Sequence, residues 1–201
     1  MGSDPLTGEH LLRLGRRRFL QIGALGGAAT LLTGCAAASR ASEDKPENKA
    51  EAFLLSCMDY RLVQATERYM AGRGLEKKYY HVMLAGAAIA ANPLTRPVPP
   101  PPPPPSVPAW NTTFWEHLAT AIALTRNRPA GPLNRVLVID HRKCGAYDII
   151  LGPGCCQNRG DETAAHTDQL RRLRTAIRER HQAMQVELLL MDLDGTVETI
   201  A

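Results

Sequence analysis

Two short stretches gather the residues that can do chemistry. "SCMDYR" sets Cys57, Asp59 and Arg61 in C-x-D-x-R spacing, and "HRKC" sets His141 and Cys144 in H-x-x-C spacing. Thiolate and imidazole are soft to borderline ligands that suit zinc. Two cysteines and one histidine make a three-ligand set, with a fourth position left for water or substrate. An aspartate and an arginine two residues apart can pair through two parallel hydrogen bonds, which keeps the carboxylate ionised and aimed. Each motif alone is a weak signal. Both together, each closing an apolar run, make a strong one. The competing reading of the thiols is a Cys57–Cys144 disulfide. That reading gives His141, Asp59 and Arg61 nothing to do.

The apolar runs define what must position these side chains. They are "AFLLSC" (52–57), "YYHVMLAG" (79–86), "RVLVIDH" (135–141) and "QVELLLMDLDG" (185–195). Runs this apolar suit strands covered on both faces, as in a parallel sheet. Helical patterns fall between them, at Val63 to Ala71, Thr112 to Arg128 and Asp161 to Met184. Strand–helix alternation predicts an α/β fold: a single domain with a central, mainly parallel β-sheet of about four strands flanked by helices. Parallel strands end on one edge, where open α/β sheets build their sites. Cys57 and His141 can therefore meet although they are 84 positions apart.

Other candidates carry less. Leu170, Leu173, Ile177 and Met184 form the apolar stripe of the last helix, and Arg171, Arg172, Arg174, Arg178 and Arg180 read as its solvated face. Glu162 and His166, four residues apart, read as a surface pair because no third ligand accompanies them. His81 and His117 read as ordinary core or surface residues. Trp110, Phe114 and Trp115 suit either the mouth of a site or the core. Cys155 and Cys156, in "GPGCCQNRG", are assigned no metal; they are free, bonded to each other or bonded to another chain. "RPVPPPPPPPSVP" (96–108) is extended polyproline, a stiff surface loop inserted between the second strand and the next helix.

The N-terminus reads as an address. Residues 1–35 have a basic start, a short apolar stretch from Phe19 to Leu32 and a small-residue end, the layout of an export signal. Arg16-Arg17 followed by Arg18-Phe19-Leu20 resembles a twin-arginine signal, and Leu32-Thr33-Gly34-Cys35 resembles a lipobox that would place lipid on Cys35. The rival is ordinary cleavage within the alanine run that follows. Residues 36–51 read as a flexible tether. The expected destination is the periplasm or cell envelope, with a lipid anchor at the membrane. Export after folding would bring the thiols out already bound to metal. Four of the 24 basic residues and two of the 20 acidic ones lie in the first 34 positions. The remainder is close to neutral, and nothing there calls for nucleic acid.

Taken together, C-x-D-x-R, H-x-x-C, "CGAYD" and "MDLDG" over residues 52–195 resemble the β-class carbonic anhydrases. The resemblance implies Zn2+ held by Cys57, His141 and Cys144, with Asp59 and Arg61 as a catalytic dyad beside it. It also implies a closed state in which Asp59 becomes the fourth ligand. The implied reaction is reversible hydration of carbon dioxide to bicarbonate, in a homodimer or a multiple of dimers. Hydrolysis of carbonyl sulfide or carbon disulfide, and a non-catalytic zinc-binding lipoprotein, are the alternatives. The sequence departs from the family where its N-terminal helices would lie, and at "LAGAAIAAN", which keeps Ala85 and Gly86 without the flanking polar residues. The domain reading is thus signal with lipobox at 1–35, tether at 36–51 and zinc domain at 52–201.

Overall fold

The computed structural model describes residues 48–93, 107–152 and 154–201. The export signal, Cys35, most of the tether and most of the polyproline insert lie outside the described residues.

The chain alternates strand and helix: β1 (Ala52–Cys57), a 3-10 turn (Tyr60–Leu62), α1 (Val63–Gly72), β2 (Tyr79–Leu84), α2 (Ala88–Ala91) and α3 (Val107–Thr125). Then come β3 (Arg135–His141), α4 (Gly145–Leu151), α5 (Arg159–Arg180), β4 (Gln185–Met191) and β5 (Val197–Thr199). The strands form one sheet in the order β2-β1-β3-β4-β5. β1 pairs in parallel with both β2 and β3, and β3 pairs in parallel with β4. The fold is therefore α/β with a mainly parallel sheet, but of five strands rather than about four. The fifth, β5, returns antiparallel along β4 after a turn closed by Asp192 N–H to Thr196 O, 2.8 Å, with Gly195 at φ +91°. Three residues of alternating character on a sheet edge bury too little to leave an apolar run, which is why the sequence pattern passes over it.

Alternation along each strand sends successive side chains to opposite faces. Phe53, Leu55, Val136, Val138, Leu188 and Leu190 meet Phe114 and Leu118 of α3 and Leu170, Leu173 and Ile177 of α5. Leu54, Leu137, Ile139 and Leu189 meet Leu62, Ala65, Met70 and Leu75 on the other side. Both faces are covered, so β1, β3 and β4 read as unbroken apolar runs. Each such leucine contributes roughly 1.5–3 kcal/mol by leaving water.

The helix boundaries shift for local reasons. α3 starts at Val107, inside the expected polyproline insert, because proline is tolerated in a first turn whose N–H groups lack partners anyway. α5 starts at Arg159 behind Asn158, whose side chain caps the backbone N–H of Asp161 at 3.0 Å, and it stops at Arg180 rather than Met184. Its last arginine is not simply solvated: the Arg180 guanidinium stands 3.7 Å from the ring centroid of Trp115. The residues just before β1 are tied to the domain. Asn48 bonds to the Tyr80 hydroxyl at 2.5 Å, and the Arg128 guanidinium donates to the Ala50 carbonyl.

Candidate metal centre

β1 and β3 lie side by side in register, Ser56 opposite Ile139, so Cys57 and His141 emerge together at the C-terminal edge of the sheet. Cys144 follows as the N-cap of α4, brought back toward the edge through Lys143 at φ +56°. The three ligand atoms lie within 4.8 Å of one another. The sulfurs of Cys57 and Cys144 are 3.9 Å apart and both thiols are free. A tetrahedral zinc with Zn–S bonds of about 2.3 Å separates its sulfurs by roughly 3.8 Å. A disulfide needs about 2.05 Å.

The imidazole is oriented as a ligand. His141 Nδ1 lies 2.8 Å from the Arg142 carbonyl oxygen, which can only accept, so the proton sits on Nδ1. In the neutral ring that leaves the lone pair on Nε2, which is fully buried and without a hydrogen-bond partner. Such an atom is costly unless something electrophilic meets it, and a carbonyl behind the far nitrogen is the usual backing of a metal-bound histidine. The hydrogen bond shared with Cys144 holds the Cys57 thiol well below its ordinary range, with burial opposing and His141 and the Gly86 N–H assisting. The same sharing, with burial, pushes the Cys144 thiol up.

Asp59 and Arg61 meet beside this donor set. Arg61 Nε and Nη2 donate to the two carboxylate oxygens at 2.9 and 2.6 Å, and the Arg61 backbone N–H adds a third bond at 3.0 Å. These bonds to Arg61 hold the Asp59 carboxyl down to about 2, against burial. Arg61 Nη2 also donates to the Lys143 carbonyl at 3.1 Å, which ties the C-x-D-x-R loop to the H-x-x-C loop. Asp59 Oδ2 stands 3.8 Å from His141 Nε2. The carboxylate therefore faces the donor set while its arginine pairing is intact.

A frame around the site was not legible from the motifs. Gly86 donates its N–H to Cys57 Sγ at 3.3 Å, at φ +79°, and a Cβ there would stand 2.6 Å from Ile89 Cγ2. The buried Asp140 accepts from the Ala88 N–H at 3.0 Å, from the Tyr147 hydroxyl and from His166 Nδ1 at 2.9 Å. The expectation that Glu162 and His166 form a surface pair is corrected. His166 is wholly buried and Glu162 nearly so, each bound to the strand that carries His141 or to the residues after it. Glu162 accepts from the Lys143 N–H and from Arg142, whose buried guanidinium also reaches Thr163 and Glu198 at 2.9 Å. The available signal was Asp140 itself, a carboxylate in an apolar run that must find donors when buried. Phe114 is buried core, with Trp110 and Trp115 packed half-buried against it. His81 pairs with Ser56 Oγ at 2.7 Å and His117 with its own helix. Cys155 and Cys156 are free.

Fold and site define a class: an α/β protein with a buried Cys–His–Cys donor set at the C-terminal edge of a parallel sheet. No protein-family model matches the chain. It is 31% identical over 156 residues to an uncharacterized protein of Rickettsia conorii, covering 78% of this chain and 75% of that one. It is 30% identical over 156 residues to an uncharacterized protein of Rickettsia bellii, covering 78% and 85%. The chain belongs to the family of these two Rickettsia proteins. Similar solved structures include a Coccomyxa β-carbonic anhydrase in complex with acetazolamide (TM-score 0.44, 13% identity, 76% of this chain and 72% of that one). A carbonic anhydrase from Streptococcus mutans gives a TM-score of 0.42 at 13% identity, over 77% and 84%.

Proposed function

We propose that this protein is a zinc enzyme of the carbonic anhydrase type, hydrating carbon dioxide reversibly to bicarbonate and a proton. One observation carries the reading. A buried, unpartnered His141 Nε2 faces two sulfurs 3.9 Å apart, with an ionised, arginine-held carboxylate 3.8 Å from it. Cys57, His141 and Cys144 would hold the zinc. When bound, zinc lowers the pKa of water from 15.7 towards about 7 and supplies a nucleophile near neutral pH.

The chain's own residues supply the rest. Asp59 Oδ2 accepts a hydrogen bond from the attacking water and so fixes the direction of its lone pair. Its ionised state at neutral pH follows from the Arg61 pairing. Arg61 is positioned in turn by the Lys143 carbonyl, so the geometry of the dyad depends on the loop that carries Cys144. The Gly86 N–H steadies the Cys57 sulfur, and the Arg142 carbonyl holds the Nδ1 proton of His141, so that Nε2 is the nitrogen presented to the metal site. The proton released on hydration leaves through solvent at the exposed Arg61 side of the site. In the same reading the protein works in the cell envelope after twin-arginine export, with lipid on Cys35, as a homodimer or a multiple of dimers.

Stopped-flow assay of the zinc-loaded protein with carbon dioxide tests the reaction, with carbonyl sulfide as the second arm. Asp59→Ala is expected to keep its zinc and to lose about 100-fold or more in turnover. Hydration at the parental rate by that variant would overturn the dyad. Turnover of carbonyl sulfide alone would overturn the substrate. Labelled fatty acid entering the parent and not Cys35→Ala tests the anchor.

A further inference from the structure

Asp148, Cys155 and Cys156 form a second cluster of donors that the proposed reaction does not use. Asp148 lies on α4 four residues after Cys144, roughly one helical turn (about 5.4 Å) along the axis from the first site. The two cysteines occupy the turn between α4 and α5, where the Cys155 N–H bonds to the Gly152 carbonyl at 3.1 Å and Gly152 holds φ +95°. That turn folds the thiols back over α4. Cys155 Sγ stands 3.7 Å from Asp148 Oδ1 and 2.6 Å from Cys156 Sγ, and the three donor atoms lie within 4.8 Å of one another. We propose that Asp148, Cys155 and Cys156 bind a second thiophilic dication, zinc or cadmium, beside the Cys57–His141–Cys144 site.

The donor chemistry selects that class of ion. Thiolate and carboxylate oxygen are both zinc ligands, three such donors leave a fourth position open, and thiolate favours zinc or cadmium over magnesium or calcium. In a tetrahedral site a sulfur and an oxygen at normal bond lengths are separated by roughly 3.5 Å, close to the Cys155–Asp148 separation. The two sulfurs must open to about 3.8 Å, which rotation about one Cα–Cβ bond provides. Access agrees. Asp148 is exposed and both cysteines are half-buried, and Cys156 and Asp148 line a cleft of about 670 Å³ that also opens on Cys144. Desolvation pushes both thiols up; the hydrogen bond and charge of Cys156 and then Asp148 add to this at Cys155, while at Cys156 the hydrogen bond to Cys155 opposes it and the charges of Asp148, Glu162 and Asp161 add to it. A dication bound there would therefore displace the thiol protons, and its charge would offset that of the carboxylate and of the thiolates so formed. Lys143 and Arg159 border the same cleft, but Arg159 is engaged by Asp192 at 2.9 Å.

The test is stoichiometric and uses the full chain, stripped of metal and kept reduced with a phosphine. Cadmium is titrated while the thiolate-to-cadmium ultraviolet band is followed, and bound metal is counted after gel filtration. The parent is expected to take two ions and the Cys155→Ser/Cys156→Ser variant one. Asp148→Asn is expected to take two, the second at least roughly tenfold weaker. Cys57→Ser/Cys144→Ser is expected to keep one ion. Equal uptake by the parent and the Cys155→Ser/Cys156→Ser variant overturns the proposal. So does a parent whose adjacent cysteines form a disulfide on isolation and take no second ion once reduced. Should the double variant misfold, unchanged cadmium affinity in Asp148→Asn overturns it in its place.

Discussion

The two ends of the sheet are built on opposite terms. At the N-terminal end, Glu187 of β4 takes Arg135 of β3 at 2.7 Å and Arg73 behind α1 at 2.8 Å, and Lys78 takes Glu51 at 3.0 Å. These charges are partly solvated and paired. At the C-terminal end, His141 Nε2 is buried without a hydrogen-bond partner, and two non-glycine residues, Ala87 and Lys143, hold positive φ, against one, Lys77, just before β2. The free Cys57 and Cys144 sulfurs are held 3.9 Å apart. A positive φ in a residue with a side chain costs on the order of 1–3 kcal/mol and persists only where the surroundings impose it. One end is arranged for stability and the other stores cost that binding can relieve. That is the asymmetry expected of an open α/β sheet, whose sites lie at the carboxyl ends of the strands.

Breaking the C-terminal end at its donor set should have the largest effect. The parent is expected to be stabilised by zinc by about 2.7 kcal/mol at a hundredfold excess over the dissociation constant. Cys144→Ser is expected to remove the share of that gain supplied by this site, because two remaining donors do not make a zinc site, and to leave only what the Asp148–Cys155–Cys156 cluster adds. Thermal melts with and without zinc check it. An equal zinc-dependent rise in the variant would show that the ion binds elsewhere.

Removing the frame beneath the donors should come second. Asp140 is the acceptor for Ala88, Tyr147 and His166 at once, so Asp140→Ala leaves three buried donors unpaired. A loss of about 3–5 kcal/mol is expected from denaturant unfolding. Zinc affinity should fall with it, by roughly tenfold, since Asp140 adjoins His141 and anchors the turn that presents the Gly86 N–H. Third, Gly86→Ala places a Cβ 2.6 Å from Ile89 Cγ2 at φ +79°. It should cost about 1–3 kcal/mol and loosen the Cys57 sulfur. Calorimetry and metal competition would read the two effects apart. A Gly86→Ala protein as stable as the parent would mean the turn can flip, and the end is less rigid than its geometry implies.

How much of this was readable beforehand follows from where the constraint lies. β1 and β3 could be read residue by residue because burial on both faces leaves an unbroken apolar signature. The meeting of Cys57, His141 and Cys144 could be anticipated because parallel pairing alone brings both strand ends to one edge. Glu162 and His166 were misplaced because i and i+4 spacing says which residues share a helix face and not which way that face points. Their burial depends on Asp140 and on the Lys143 N–H, partners more than 18 residues away in the chain. α4 went unread because seven residues give too little periodicity for a helix pattern.

The smallest effect belongs to the opposite end, and it has a defined sign. Burial alone would raise the Glu187 carboxyl, but its hydrogen bonds to Arg73 and Arg135 more than offset this and hold it below its ordinary value of 4.5. A carboxylate lowered by folding stabilises the native state above its unfolded pKa, and that contribution is lost as pH falls through the folded one. Glu187→Gln should therefore cost at most about 1 kcal/mol near neutral pH, given the partial exposure of all three side chains. The difference from the parent should shrink steadily below pH 4.5. Unfolding curves across that range measure it, at low and at high salt, because screening should reduce an exposed pair further. Zinc affinity should not move, since Glu187 lies toward the start of β4 and the donors at the far ends of β1 and β3. A Glu187→Gln variant that lost zinc would tie the two ends together energetically and undo the division of labour between them.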